Sequence, residues 1–206
     1  MKGSLIVFVC FVVGVVAGRF VEIDVDVHGF SLLLLYLLMV QVGLGIGSNP
    51  SIVKIIKNLG WKDLLLPIGT VGGSLIVSAI TGLFLKNLTL MNVLAINYSC
   101  GYYSLSSIMI NQLLTSESGA IVASGVATIA LMANIFRELM ALIFAPMIES
   151  RFGSYALIGA AGVTSTDVCL PSIRKWSGDS FTGIAILHGV LIDISTPFFI
   201  TLFCEM

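Results

Sequence analysis

Charge is what this sequence has least of. Only 10% of its 206 residues are Asp, Glu, Lys or Arg, against roughly a quarter in an ordinary soluble domain. Lys and Arg number 10 and Asp and Glu 11, for a net charge of -1, so there is no basic excess to neutralise phosphates and nucleic acid is excluded as a partner. Cysteine is also scarce. Cys10, Cys100, Cys169 and Cys204 lie far apart inside apolar runs, without the close spacings of a zinc site, a redox pair or a disulfide framework. They are expected to be buried free thiols, with no metal and no cofactor. No Gly-x-Ser-x-Gly elbow surrounds Ser165 and no oxyanion loop accompanies it and His188, so an intramembrane hydrolase is set aside and no enzyme is expected.

What is abundant is apolar surface: 57% of the residues are hydrophobic. A spanning helix needs about 20 mostly apolar residues, and runs at 3–18, 29–47 and 64–85 meet or approach that length. The first resembles a signal peptide, but Arg19 follows it without a small-residue cleavage site, so it is expected to be a retained short span. The rest is apolar but interrupted, at 88–114, 119–148, 152–173 and 181–203. Continuous rather than alternating hydrophobicity means helices and not barrel strands. The expected fold is all-α integral membrane, a single transporter domain over 1–206 with five to seven membrane helices. It divides into a three-helix part at 1–87 and a broken-helix core at 88–206, with two discontinuous or re-entrant segments.

Orientation follows from the positive-inside rule. Lys54, Lys57 and Lys62 mark one cytoplasmic loop and Arg174 and Lys175 another, while Glu22, Asp24 and Asp26 fill the loop between the first two spans. The N-terminus is then cytoplasmic and Glu205, at the C-terminus, outside. Two routes join these points: the runs around Tyr103 and Ser165 both cross the bilayer, or both enter and return. The second route keeps Arg151 inside and fits the charge rule better.

Those two runs resemble each other. Cys100-Gly101-Tyr102-Tyr103-Ser104-Leu105-Ser106-Ser107 matches Ala161-Gly162-Val163-Thr164-Ser165-Thr166-Asp167-Val168 at a constant offset of 61, placing Gly on Gly, Ser on Ser and Ser106 on Asp167. If both are re-entrant they enter from opposite faces and form an inverted repeat, the arrangement in which transporters hold substrate between broken helices at mid-membrane. Small and hydroxylated residues suit an unwound backbone, whose polar groups need partners in lipid. They also suit close helix packing without any site.

Ionisable residues within the apolar runs cost about 3 kcal/mol each on insertion scales and are usually functional. Arg137, Glu138, Asp167 and Asp193 are the candidates, with His188 on the last run. Adjacent Arg137 and Glu138 project about 100° apart on a helix, so each is expected to meet another partner. Asp167 could pair with Arg137 or bind a cation directly. A carboxylate such as Glu138 in a poorly solvated cavity can take up a proton and couple its movement to transport. Asp193 precedes Pro197 by four residues, where a disturbed helix exposes it to a cavity. His188, like Asn134 and Gln41, also suits plain interhelical hydrogen bonding.

At the level of motifs, Gly101-Tyr102-Tyr103-Ser104-Leu105-Ser106-Ser107, the Arg137-Glu138 pair, Gly162-Val163-Thr164-Ser165-Thr166-Asp167 with Leu170-Pro171, and His188-Gly189 together resemble the signatures of the LysO-type bacterial lysine exporter family. Tyr102 and Ser107 stand where the family has Trp and Gly, and Val163 and Thr166 where it has Ala and Met. Longer members carry about three further N-terminal segments, which a second copy of this chain or a small membrane subunit would supply. The resemblance implies export of L-lysine or close cationic analogues across the bacterial inner membrane, exchanged for protons, with intramembrane carboxylates essential. Glu138 and Asp167 would then meet ammonium groups. Arg137, or the hydroxyls and N–H groups at Ser104, Ser106, Thr164 and Ser165 beside Tyr103, would meet the carboxylate. A cation/proton antiporter, an organic-anion transporter of related fold and a non-transporting scaffold subunit are the alternatives.

Overall fold

The computed structural model describes residues 61–85, 88–98 and 102–206, with scattered positions between 9 and 48; side chains at 61–63 and 117 are not described. The start of the span expected at 3–18, both limits of that expected at 29–47, Cys10, Gln41, Cys100, Gly101 and the lysines at 54 and 57 fall outside the described residues. Every described position from 9 to 44 is helical.

Among the described residues all regular structure is helical. The elements are α1 (Trp61–Phe84), α2 (Leu90–Tyr98), α3 (Tyr103–Ser118), α4 (Ala120–Ile143), α5 (Ala145–Phe152), α6 (Ser154–Ala161), a 3-10 turn over Gly162–Thr166, α7 (Leu170–Ser177), a shorter 3-10 turn over Asp179–Phe181, and α8 (Thr182–Cys204). Among the described residues three stretches are long and apolar enough to cross a bilayer: Leu64–Phe84, Ala120–Ile143 and Asp179–Cys204. The chain is therefore a multi-pass membrane protein.

Local chemistry sets the element ends. The run expected to continue to 148 stops at Ile143, because Pro146 lies in the first turn of α5. Proline has no N–H to offer Leu142 and its ring crowds that carbonyl, which interrupts the hydrogen-bond ladder of α4 here, whereas a new helix can begin with proline in its first turn. Between α3 and α4 a single residue, Gly119, reverses the chain with φ +83°, a conformation open to glycine at little cost. α3 then lies along α4. The short α5 and α7 carry the charges Glu149, Arg151, Arg174 and Lys175, and an exposed ion pair joins Arg174 to Asp179 at 2.6 Å.

The buried apolar residues form three groups. One, at the end where α4 begins and α8 finishes, contains Leu114, Ala123 and Cys204, with Leu88 at the entry to α2 packed against it. A second, at the end where α4 finishes and α8 begins, contains Ala141, Ala145, Leu157, Ile173 and Ala185, joined by Leu66 near the start of α1. Hence α1 and α8 run in one direction and α4 in the other. Between the two lies a small central group, Val163 and Ile192, with Val71 and Tyr102 packed on it. Both interruptions contribute a residue to that centre.

Candidate functional site

The interruption after α6 begins at Gly162, with φ +64° and ψ -132°, a conformation disfavoured for a residue with a Cβ. Ending an eight-residue helix there leaves several carbonyls without intrahelical partners. Each finds one. Ile158 O accepts from the Gly162 N–H. Arg137 reaches across from α4, donating from Nη2 to Gly159 O and from Nε to Ala160 O, both at 3.1 Å. The Thr164 hydroxyl donates to Ala161 O at 2.8 Å and that of Thr166 to Val163 O at 2.9 Å. A guanidinium at this helix end also meets the negative pole of the helix dipole. Arg137 thus holds α6 by its backbone carbonyls.

Beyond the turn, the Asp167 carboxylate accepts from the Val168 N–H and is itself exposed. The turn rests directly on α8. A Cβ added at Gly189 would stand 2.6 Å from Thr166 Cγ2, 2.7 Å from Val163 O and 2.8 Å from Ser165 Oγ, so only glycine permits this approach. One residue earlier, His188 is 1% exposed. Its Nε2 lies 2.9 Å from Thr70 Oγ1 on α1 and its Nδ1 3.4 Å from Ser165 Oγ, while Ser165 donates to Ala185 O at 2.8 Å. His188 therefore ties the turn to both α1 and α8.

At the other interruption, Ser106 is fully buried and donates to Tyr102 O at 2.6 Å, closing the first turn of α3. Tyr102 packs on Val163 and Ile192 and lies within electrostatic reach of Asp167 and Asp193. Tyr103 is within reach of Glu138 and Asp167, and the two aspartates act on each other. Glu138 is 1% exposed. Asp193 presents a buried Oδ1 without a hydrogen-bond partner among the described residues. One turn on, Pro197 lies inside α8 and has no N–H for the Asp193 carbonyl.

Of the residues singled out from sequence, Asp167 and Asp193 lie within electrostatic reach of Tyr102, Glu138 and Asp167 within reach of Tyr103, and Ser165 and His188 meet directly. Arg137 contacts the end of α6. The hydroxyl protons of Ser106, Thr164 and Ser165 are directed to backbone carbonyls, and Ser104 accepts at its carbonyl from Ser107 Oγ at 3.2 Å. Sequence reasoning missed Thr70, and it missed the Tyr98 hydroxyl that donates to Ser195 Oγ at 3.0 Å. Both lie in apolar helices where one hydroxyl gives no distinguishing pattern. Among the described residues no cluster suits a metal ion.

An all-helical bundle whose described residues include three helices long and apolar enough to cross a bilayer defines a polytopic membrane protein. The family model described as Lysine exporter LysO matches residues 8–204, and the chain belongs to that family. It is 32% identical over 145 residues to "Lysine exporter LysO" of Escherichia coli (strain K12), covering 70% of this chain and 45% of the relative. It is 29% identical over 130 residues to "Putative lysine exporter" of Haemophilus influenzae (strain ATCC 51907 / DSM 11121 / KW20 / Rd), covering 63% and 62%. The chain thus spans less than two thirds of the length of either relative. No solved structure matches it.

Proposed function

We propose that this chain is the core of a secondary transporter that exports L-lysine or a close cationic analogue, exchanging it for protons across the bacterial inner membrane. The observation that carries the proposal is the meeting of the two interruptions in one central group: Tyr102 packs against the Val163–Ile192 cluster, with the buried Glu138 and the exposed Asp167 both within electrostatic reach of Tyr103. Ammonium groups bind the carboxylates, and each carboxylate holds either a proton or substrate. Competition between them couples the two flows, and alternating access around the fixed centre completes the cycle.

Two further features support an inverted repeat of re-entrant segments. Leu88, before α2, and Leu114, in α3, share one end group, whereas Leu157 of α6 and Ile173 of α7 share the opposite one. The offset of 61 that aligns the motifs also carries α1 (Trp61–Phe84) nearly onto α4 (Ala120–Ile143), and it pairs Tyr102 with Val163, both members of the central apolar group. Arg151, Arg174 and Lys175 follow the end where α1 begins, so the positive-inside rule makes that end cytoplasmic and puts the C-terminus outside. Only 11% of the apolar window of α1 is buried, which leaves a face for lipid and for a second copy or a small membrane subunit.

The test is efflux of labelled lysine from reconstituted vesicles under an imposed pH gradient, with labelled sodium and organic anions as competing solutes. Asp167→Asn and Glu138→Gln are each expected to abolish proton-coupled lysine flux. Full activity in both variants, or flux of another solute in place of lysine, refutes the scheme.

A further inference from the structure

Bounded by α1, α2 and α4 lies a cavity of about 370 Å³ lined in part by Gly73, Ser74, Asn97, Asn134 and Arg137. We propose that this cavity binds the α-carboxylate of the exported amino acid, an assignment that rests on the exporter function proposed above. Arg137 has five N–H donors, and two of them hold Gly159 O and Ala160 O. Three remain on a guanidinium that forms part of the cavity wall, and a planar guanidinium is suited to a carboxylate through paired, charge-assisted hydrogen bonds. Its attachment to α6 fixes the fork in place, so little side-chain freedom is lost when an anion arrives.

Charge and space agree with this assignment. The cavity reaches Asn97 in the last turn of α2, where the helix dipole presents about half a negative charge; the full positive charge of Arg137 outweighs it. Ser74 adds a hydroxyl able to donate to a carboxylate oxygen, and Asn97 and Asn134 make the wall polar, the Asn134 Nδ2 donating to Ala130 O at 2.7 Å. Gly73 is open, with nothing within 4 Å of an added Cβ. Glu138 follows Arg137 directly and lies one turn after Asn134 on α4. An amino acid with a cationic side chain can therefore place its carboxylate at Arg137 and an ammonium group toward Glu138. This divides recognition into an anionic and a cationic half, set about 100° apart around one helix.

Competition against labelled lysine in reconstituted vesicles tests the assignment, with lysine, lysine amide and 1,5-diaminopentane as unlabelled competitors. In the unmodified chain, lysine is expected to compete about tenfold or more better than the amide or the diamine, the scale of a lost charged hydrogen bond. In Asn97→Leu and in Gly73→Val, which fills the cavity, the lysine-to-amide ratio is expected to fall toward one, with Ser74→Ala giving a smaller fall. Equal competition by lysine and its amide in the unmodified chain overturns the carboxylate subsite and leaves the exporter function intact. An unchanged ratio in all three variants also overturns it. Absence of lysine binding in the unmodified chain removes the exporter function and the subsite together.

Discussion

Replacing Gly189 by alanine tests the contact on which the central geometry depends. The new Cβ would lie 2.6 Å from Thr166 Cγ2 and 2.7 Å from Val163 O, whereas non-bonded carbons prefer about 3.5–4.0 Å. Either α8 or the Gly162–Thr166 turn must move by about 1 Å. Overpacking of this kind costs about 1–3 kcal/mol, offset in part by the roughly 0.5–1 kcal/mol that alanine gains over glycine within a helix. Gly183→Ala, on the same helix with nothing within 4 Å of the added atom, has the gain without the clash. Unfolding midpoints of the two variants in detergent are expected to differ by about 2–4 °C for each kcal/mol, with Gly189→Ala the lower. Lysine flux in Gly189→Ala, at equal protein per vesicle, is expected to fall tenfold or more, since a shift of about 1 Å can lower a geometry-dependent rate about a hundredfold. Midpoints and fluxes that coincide for the two variants would refute the direct packing of the turn on α8.

Removing Arg137 with alanine leaves two carbonyls of α6 without donors, at about 1–3 kcal/mol each; Arg137→Lys, a single point charge, is expected to recover only part of the lost thermal stability. Thr70→Val deletes the hydroxyl beside His188 and is expected to cost about 1 kcal/mol. A double-mutant cycle with His188→Ala should return a coupling of about 0.5–3 kcal/mol, and strict additivity would break the link between α1 and α8. Tyr98→Phe removes the bond to Ser195 but keeps the ring stacked 4.3 Å from Phe199, so a loss of about 1 kcal/mol in chemical denaturation is expected, against about 3–5 kcal/mol for Tyr98→Ala.

The long helices were legible in the sequence because a continuous apolar run longer than the bilayer core has few other solutions. The end of α6 was also legible, since Gly162 and the hydroxylated residues after it conflict with an unbroken helix. The limits of α4 were less so. Hydropathy continues smoothly to Ile148, and it is Pro146 that ends the helix, a local steric effect that averaging over a window conceals. At the site, Glu138, Asp167 and Asp193 stood out as charges in apolar surroundings. The acceptors of Arg137 could not be read, because backbone carbonyls carry no side-chain signature. Gly189 is likewise indistinguishable from any packing glycine until the opposing turn is in place, and Thr70 bonds back to Leu66 O at 3.0 Å as a buried helical threonine commonly does.

α6 and α7 have eight residues each, so either one measures about 12 Å against a hydrocarbon core of about 30 Å. Neither can partition into lipid alone during synthesis. The Gly162–Thr166 turn needs Arg137, already made, and Gly189, not yet made, before its backbone is fully accommodated. Assembly of this region must therefore wait until α8 has left the ribosome, and a chain truncated before His188 would leave the Gly162–Thr166 turn without its seat on α8.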